Sequence, residues 1–108
     1  MRYRILRERL AQQDIDGHAD YIARDRPLSA LEFVDAVERA FARLAEMPEL
    51  GSARAFHHTR LAGIRMWPVP DFLNYLIFYR VVDESIQVLR VLRASQDYTR
   101  FFHEEGTC

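Results

Sequence analysis

Residues 73–82, LNYLIFYRVV, constrain the fold more than any other part of the chain. The run has the aromatic and β-branched composition of a strand, in which successive side chains point to opposite faces. One face would carry Leu73, Tyr75, Ile77 and Tyr79, and the other Phe72, Leu76 and Phe78 with Asn74 and Arg80. Because both faces are largely apolar, we expect this strand at the centre of a sheet that is covered on both sides.

Two further strands are predicted beside it, over about 60–68 and 85–92. The connection Val82-Asp83-Glu84-Ser85 is short enough for a hairpin, which implies antiparallel pairing. The other connection contains Pro68 and Pro70, which cannot donate hydrogen bonds to a neighbouring strand. The strand over 60–68 is therefore expected to fray or to lie partly at an edge near its end.

The first half of the chain predicts a short strand and two helices. Tyr3, Ile5 and Arg7 alternate with Arg4 and Leu6, and helical composition follows from about 8 to 24. The inward stripe of this first helix is predicted as Leu10, Ile15, Ala19 and Ile22, with His18 and Tyr21 near its edge. Asp25-Arg26-Pro27 interrupts the helix, because the residue before a proline is disfavoured in the α region.

A second helix over about 28–46 has the clearest helical pattern in the sequence. Ser29 and Glu32 have the spacing of a capping box, although Pro27 also allows the helix to begin a turn earlier. Met47 to Gly51 ends it, and residues 52–59 are predicted as a loop. Its apolar residues at helical spacing are Ala30, Phe33, Val34, Val37, Phe41, Leu44 and Ala45.

The sequence therefore predicts an α+β fold, with an N-terminal strand and an αα hairpin packed on a small, mainly antiparallel β-sheet. The hairpin would cover one face of the central strand. The other face would be covered by residues 98–102, YTRFF, or by a partner protein, and the sequence does not choose between them.

Composition limits the classes of protein that this chain can represent. With 108 residues, 49% of them hydrophobic, residues 1–108 are expected to form one domain. No apolar run reaches the roughly 18 residues of a spanning helix, so a cytoplasmic protein without a membrane role is expected. Cys108 is the only cysteine, and His57 and His58 have no nearby acidic or cysteine partner. We therefore expect no metal and no cofactor.

All 15 basic residues are arginine, and the formal net charge is -1. That balance argues against direct specific DNA binding by the chain alone, since binding through general basicity requires an excess of cations. The planar guanidinium group suits paired contacts with a carboxylate or a phosphate. An arginine surface is therefore suited to an acidic segment or a phosphate group, although genome composition also explains the bias.

Four short motifs, in this order and spacing, resemble the ParE branch of the RelE/ParE toxin superfamily. They are Leu44-Ala45-x-x-Pro48-x-x-Gly51, Gly63-x-Arg65, Ile77-Phe78-Tyr79-Arg80, and Val91-Leu92 leading to Asp97. The resemblance implies the toxin of a type II toxin–antitoxin system, neutralised by a cognate ParD-like antitoxin in a hetero-oligomer. It also implies that DNA gyrase is the target, inhibited by binding. The RelE-like branch instead cleaves mRNA on the ribosome.

The residues favour a binding toxin over a ribonuclease, and we predict no catalytic residue. Residues 75–78 are apolar where a nuclease surface needs cations, and Arg93 stands where some relatives have a histidine. Arginine stays protonated and is a poor general acid or base. A weak phosphate site built from Arg65, Tyr79, Arg90, Arg93 and Asp97 remains the alternative.

The candidate residues for binding the antitoxin or the target are Arg65, Trp67, Arg80, Arg90, Arg93, Asp97 and Tyr98. For Arg65 the alternative is an ion pair with a carboxylate such as Asp97. Trp67, beside Pro68, is expected to be partly exposed, as interface anchors often are. The arginines of the last two strands would form a cationic patch for an acidic antitoxin segment if they share one face, and would otherwise be solvated.

Overall fold

The computed structural model describes residues 2–53 and 63–95. The chain has an α+β fold, in which an N-terminal strand and two helices precede most of a five-stranded mixed sheet. The elements in chain order are β1 (Arg4–Arg7), α1 (Arg9–Ala23), α2 (Pro27–Glu46), β2 (Ser52–Ala53), β3 (Arg65–Val69), β4 (Phe72–Val82) and β5 (Ser85–Arg93).

The strands lie in the order β1-β5-β4-β3-β2, so the apolar strand β4 is central, as predicted. It pairs antiparallel with β3 and with β5, and the hairpin to β5 turns through Asp83, whose φ is 54°. The first strand, β1, pairs parallel with β5. The pairing of β3 shifts register between Pro68 and Val69, and β2 pairs only with the first half of β3. The second half of β3 therefore lies at an edge of the described sheet, as its prolines predict.

The helix hairpin packs on one face of the sheet and buries the main core there. Phe33, Val37 and Phe41 of α2 are at most 2% exposed and belong to one cluster with Tyr75, Ile77 and Tyr79 of β4. Ala36 and Ala40 are also buried, which lets α2 approach its neighbours closely. The predicted core face of α2 is confirmed, with Val34 at its margin.

The opposite face carries a second, smaller cluster of buried residues. Ile64, Leu76, Phe78 and Leu92 are at most 7% exposed, and Met66 and Leu89 pack against them. No residue of α1 or α2 belongs to this cluster. Of the two covers predicted for this face, residues 98–102 or a partner, the segment 98–102 lies outside the described residues.

The predicted inward stripe of α1 is wrong at one position, and the structure decides between the two starts left open for α2. In α1 the buried positions are Ala11 and Ile15, whereas Leu10 is 40% exposed, because a stripe through Ile15 continues four residues earlier, at residue 11. The Ser29–Glu32 capping box does not form. Instead, Arg26 is the N-cap of α2 and makes no side-chain cap bond, so Pro27 begins the helix.

Three predicted details of the strands are also wrong. In the described part of the chain β3 begins at Arg65 rather than near residue 60, because Gly63 turns with a φ of 83°. Ser52 and Ala53 form a short strand instead of a loop. At the start of β4, Phe72 packs into the helix-side core while Leu73 is 69% exposed. The alternation is reversed there, next to a turn in which Asp71 has a φ of 73°.

Candidate functional site

Three of the sequence motifs meet in one network of hydrogen bonds between the end of α2 and the sheet, which we call the Tyr79 network. It consists of Pro48, Gly51, Arg65 and Tyr79. The Tyr79 hydroxyl accepts a hydrogen bond from the Gly51 N–H and donates one to the Pro48 carbonyl, each at 2.8 Å. Arg65 Nη1 donates to the Gly51 carbonyl at 2.6 Å. The network therefore holds the segment after α2 against β3 and β4.

The Tyr79 network leaves no room for a side chain at Gly51. A Cβ atom at this position would lie 2.6 Å from the Tyr79 hydroxyl oxygen, 2.7 Å from Tyr79 Cε1 and 3.0 Å from the Met66 carbonyl oxygen. Tyr79 itself is 0% exposed, so its ring has little room to withdraw. Burial raises the pKa of Tyr79, and the hydrogen bond from Gly51 and the charge of Arg65 oppose that rise. The phenol is therefore held neutral, as a structural group.

A second polar constellation lies where α1 crosses the outer edge of β5. The strand β1 pairs with β5 only as far as Val88, and the Glu8 N–H then donates to the Val88 carbonyl. Beyond that point Asp14 of α1 binds the strand. Its carboxylate accepts hydrogen bonds from Arg90 Nε at 2.8 Å, from Arg90 Nη2 at 2.9 Å and from the Val91 N–H at 3.0 Å.

The next turn of α1 contacts the same strand through His18. His18 Nε2 lies 2.8 Å from the Val91 carbonyl oxygen, which makes this nitrogen the donor. The ring packs edge-on to Tyr75, with 4.9 Å between centroids. Burial lowers the pKa of His18. The hydrogen bond to the Val91 backbone and the charge of Asp14 raise it, but they offset only part of the effect of burial. Together Asp14 and His18 satisfy both backbone groups of Val91, as a neighbouring strand would.

One turn further, Tyr21 completes this line of contacts, which we call the α1–β5 row (Asp14, His18 and Tyr21 on Arg90, Val91 and Arg93). The Arg93 guanidinium carbon lies 5.7 Å from the centroid of the Tyr21 ring, and that of Arg24 lies 6.0 Å from it. Tyr21 is 59% exposed. The far end of the row is therefore an exposed aromatic ring with two cations stacked on it.

The three predicted strand arginines have different partners. Arg90 is bound to Asp14 in an ion pair whose side chains are only 14% and 13% exposed, and Arg93 stacks on Tyr21. Arg80 alternates with the helix-side Tyr79, so it projects from the opposite face, where its Nε donates to Gln87 at 2.8 Å.

The other predicted binding residues have mixed outcomes. Arg65 binds the Gly51 carbonyl in the Tyr79 network. Trp67 is partly buried and packs against the main core, in agreement with the partial exposure expected for it. Asp97, Tyr98, His57 and His58 lie outside the described residues. Whether any of the candidates binds an antitoxin or a target stays a prediction.

Asp14, His18 and Tyr21 of α1, and Gly51 after α2, are not among the binding residues predicted from the sequence. Asp14, His18 and Tyr21 follow one another at spacings of four and three residues, which places them on one side of a helix. That pattern was available in the sequence, but its partners on β5 were not.

The described residues also contain an open depression lined by Glu32, Asp35, Arg39, Asp71 and Phe72. Asp35 and Arg39 form an ion pair across one turn of α2 within it. In residues 2–53 and 63–95 no group of three or more His, Cys, Asp or Glu side chains is arranged to hold a metal ion. None of the described helices is long and apolar enough to cross a membrane.

The fold defines the class of protein first. It matches a solved structure described as the chromosomal ParDE TA system from P. aeruginosa, with a TM-score of 0.69 and 23% sequence identity, over 84% of this chain and 95% of that one. At this level of identity the likeness shows a shared fold. No curated protein matches the chain.

A family model then gives the assignment. The model described as ParE toxin of type II toxin-antitoxin system, parDE, matches residues 5–98. The chain belongs to the ParE toxin family of type II toxin–antitoxin systems. The resemblance stated from the sequence motifs is therefore confirmed, as is the α+β fold that it implied.

Proposed function

We propose that this ParE toxin acts in the cytoplasm by binding DNA gyrase, without catalysing a reaction, and that a cognate ParD-like antitoxin neutralises it. The observation that carries the non-enzymatic part is the use of the polar side chains that a phosphate site would need. Arg65 and Tyr79 are bound in the Tyr79 network, and Arg90 is bound to Asp14. In the described part of the chain these groups therefore serve packing.

Ribonuclease chemistry needs a proton acceptor, a proton donor and a cation on one substrate phosphate. Tyr79 is fully buried with a raised pKa, and its hydroxyl is already bonded to two backbone groups. His18 is the only described histidine, and its Nε2 is bonded to the backbone of β5. Neither is presented for proton transfer to a bound RNA, which supports inhibition by binding.

The proposal of an antitoxin partner rests on family membership and on the solved ParDE system whose fold this chain shares. The proposed contact residues are Trp67, Arg80 and Arg93, which are partly exposed on the sheet, with Asp97 and Tyr98 beyond the described range. Arg65 and Arg90 are partly exposed as well, but they are left out because they bind Gly51 and Asp14. Arginine and tryptophan are common anchors of protein interfaces.

The test separates the two activities in purified reactions. The chain is expressed alone and with the protein encoded by the adjacent reading frame, and growth is measured. Purified toxin is then assayed for inhibition of gyrase supercoiling and, separately, for cleavage of mRNA on ribosomes.

We expect growth arrest that co-expression relieves, loss of supercoiling, and intact transcripts. Transcript cleavage that is lost in Arg93→Ala, in a variant that keeps wild-type thermal stability, would replace this proposal with a RelE-type ribonuclease. An Arg9→Ala variant is the matched control, since Arg9 is an exposed arginine in the first turn of α1.

A further inference from the structure

We propose that Tyr21, Arg24 and Arg93, here called the Tyr21 cluster, form a docking site for an acidic peptide segment of the antitoxin. The inference rests on the proposed function, since it assumes that an antitoxin binds this chain. It goes further by placing one part of that contact at the C-terminal end of α1 and the end of β5, with carboxylates as the chemistry recognised.

The two arginines of the Tyr21 cluster are preorganised for binding. Arg24 and Arg93 come from different elements, yet both guanidinium groups stack on the same ring, at 6.0 and 5.7 Å from its centroid. Stacking fixes two long side chains that otherwise lose rotamer freedom when they bind a partner. Arg93 makes at least one further contact in the protein, and its five N–H donors can serve more than one acceptor.

The Tyr21 cluster is exposed, and the part of α1 next to it is fixed to β5. Tyr21 is 59% exposed and Arg24 is exposed, so a partner can reach the cluster. Beneath it, His18 and Asp14 fix α1 to β5 through Val91. Exposed tyrosine and arginine on a rigid support are typical of the side chains that dominate binding energy in protein interfaces.

The distribution of charge around the Tyr21 cluster favours a peptide over a nucleic acid. A phosphate backbone needs a continuous track of cations, because each phosphate carries a charge. Here the next arginine along the row, Arg90, is neutralised by Asp14, so the described row offers two adjacent cations and no longer track. Two adjacent cations with an aromatic ring suit one or two carboxylates beside an apolar side chain.

The experiment measures binding of the purified adjacent-gene antitoxin to the full chain. The variant is the double charge reversal Arg24→Glu/Arg93→Glu, and Tyr21→Ala removes the stacking ring. The control is Arg9→Glu, a single reversal with half of that charge change, at the other end of α1, where the helix dipole stabilises a negative charge. Thermal melts verify that each variant is folded.

We expect the double reversal to raise the Kd by about tenfold or more, a difference that corresponds to about 1.4 kcal/mol. The loss should shrink between about 0.1 M and about 1 M salt, where the screening length falls from about 10 Å to about 3 Å. Arg9→Glu should leave the Kd within about twofold of the wild type, since an isolated exposed charge contributes little.

Three results would overturn the inference. If the double reversal binds as tightly as Arg9→Glu, the Tyr21 cluster is not part of the contact, while the proposed function stands. If the wild-type chain forms no complex with the antitoxin, the proposed function fails and the inference fails with it. If labelled single-stranded oligonucleotides bind the wild type but not the double reversal, while the antitoxin Kd is unchanged, the cluster recognises phosphate instead.

Discussion

Removing one oxygen atom from the Tyr79 network, by Tyr79→Phe, should cost a large part of the stability of this fold. The hydroxyl accepts from the Gly51 N–H and donates to the Pro48 carbonyl, each at 2.8 Å. Gly51 is buried, so its N–H is left without an acceptor, whereas Pro48 is partly exposed and its carbonyl can bind water. Leaving a buried polar group unpaired costs about 1–3 kcal/mol, so the two losses together give about 2–3 kcal/mol.

Urea unfolding followed by circular dichroism measures this change directly. In thermal unfolding, the same loss of about 2–3 kcal/mol would lower the midpoint temperature by roughly 10–15 °C in a domain of this size. Tyr21→Phe is the matched control, since that hydroxyl is on a side chain that is 59% exposed, and its effect should stay within about 0.5 kcal/mol. A Tyr79→Phe protein that unfolds at the wild-type urea concentration with an unchanged slope would refute the reasoning.

The stability of the wild type and of Tyr79→Phe should also differ in alkaline solution. Because burial raises the pKa of Tyr79, the folded chain retains this proton at a pH where the unfolded chain releases it. The linked stability is fully present below the ordinary tyrosine pKa of about 10 and is lost as the pH rises above it. The wild type should therefore lose more stability than Tyr79→Phe above about pH 10, and parallel curves would contradict a raised pKa.

Three further predictions concern the polar contacts that hold α1 and the α2 end in place. Asp14→Ala should lower the free energy of unfolding by about 3 kcal/mol, because it removes the carboxylate that pairs with a nearly buried Arg90 and leaves the Val91 N–H without an acceptor. Asp14→Leu/Arg90→Met should cost less, and chemical unfolding that ranks the double variant lower would count against this reasoning. Gly51→Ala should cost about 2 kcal/mol or more through contact of its Cβ with Tyr79, measured by thermal melts, and a neutral effect would show that the loop moves aside freely. Since burial lowers the pKa of His18, stability should be lost as pH falls below about 6.5, and less so in His18→Gln; identical pH profiles would remove the buried imidazole from the explanation.

The elements that the sequence predicts well are those whose signals are local. The face of α2 through Phe33, Val37 and Phe41 repeats at helical spacing, and the structure buries it. The apolar character of both faces of β4 could not be satisfied at an edge, and that alone places the strand at the centre.

The wrong details come from signals that are weak or are reversed by a turn. Ala11 is buried and Leu10 is exposed, since a small alanine gives little hydrophobic signal even when it faces the core. Phe72 and Leu73 exchange faces beside Asp71, whose left-handed backbone breaks the alternation of the strand. A turn of this kind is not visible in a pattern that assumes regular strand geometry.

The candidate site was the least predictable part, because its partners are distant in the sequence. Asp14 meets Arg90 and Val91, and Gly51 meets Tyr79, across long stretches of chain. Nothing in the local pattern of Asp14 indicates a partner on the last strand. The arginines of β4 and β5 were expected to act together if they shared a face, but the register places Arg93 opposite the helix-side Tyr75, and Arg90 is engaged in an ion pair with Asp14.

The parallel pairing of β1 with β5 has a consequence for how the toxin comes into existence. Arg4 pairs with Ser85, so the first strand waits for its partner until most of the chain has been synthesised. Pairings between distant residues form late and slowly because the intervening chain must first be closed into a loop. Until β5 has left the ribosome, β1 has no strand to pair with, and a product truncated before Ser85 never forms the parallel pair. The sheet can therefore be completed only after most of the chain has been synthesised.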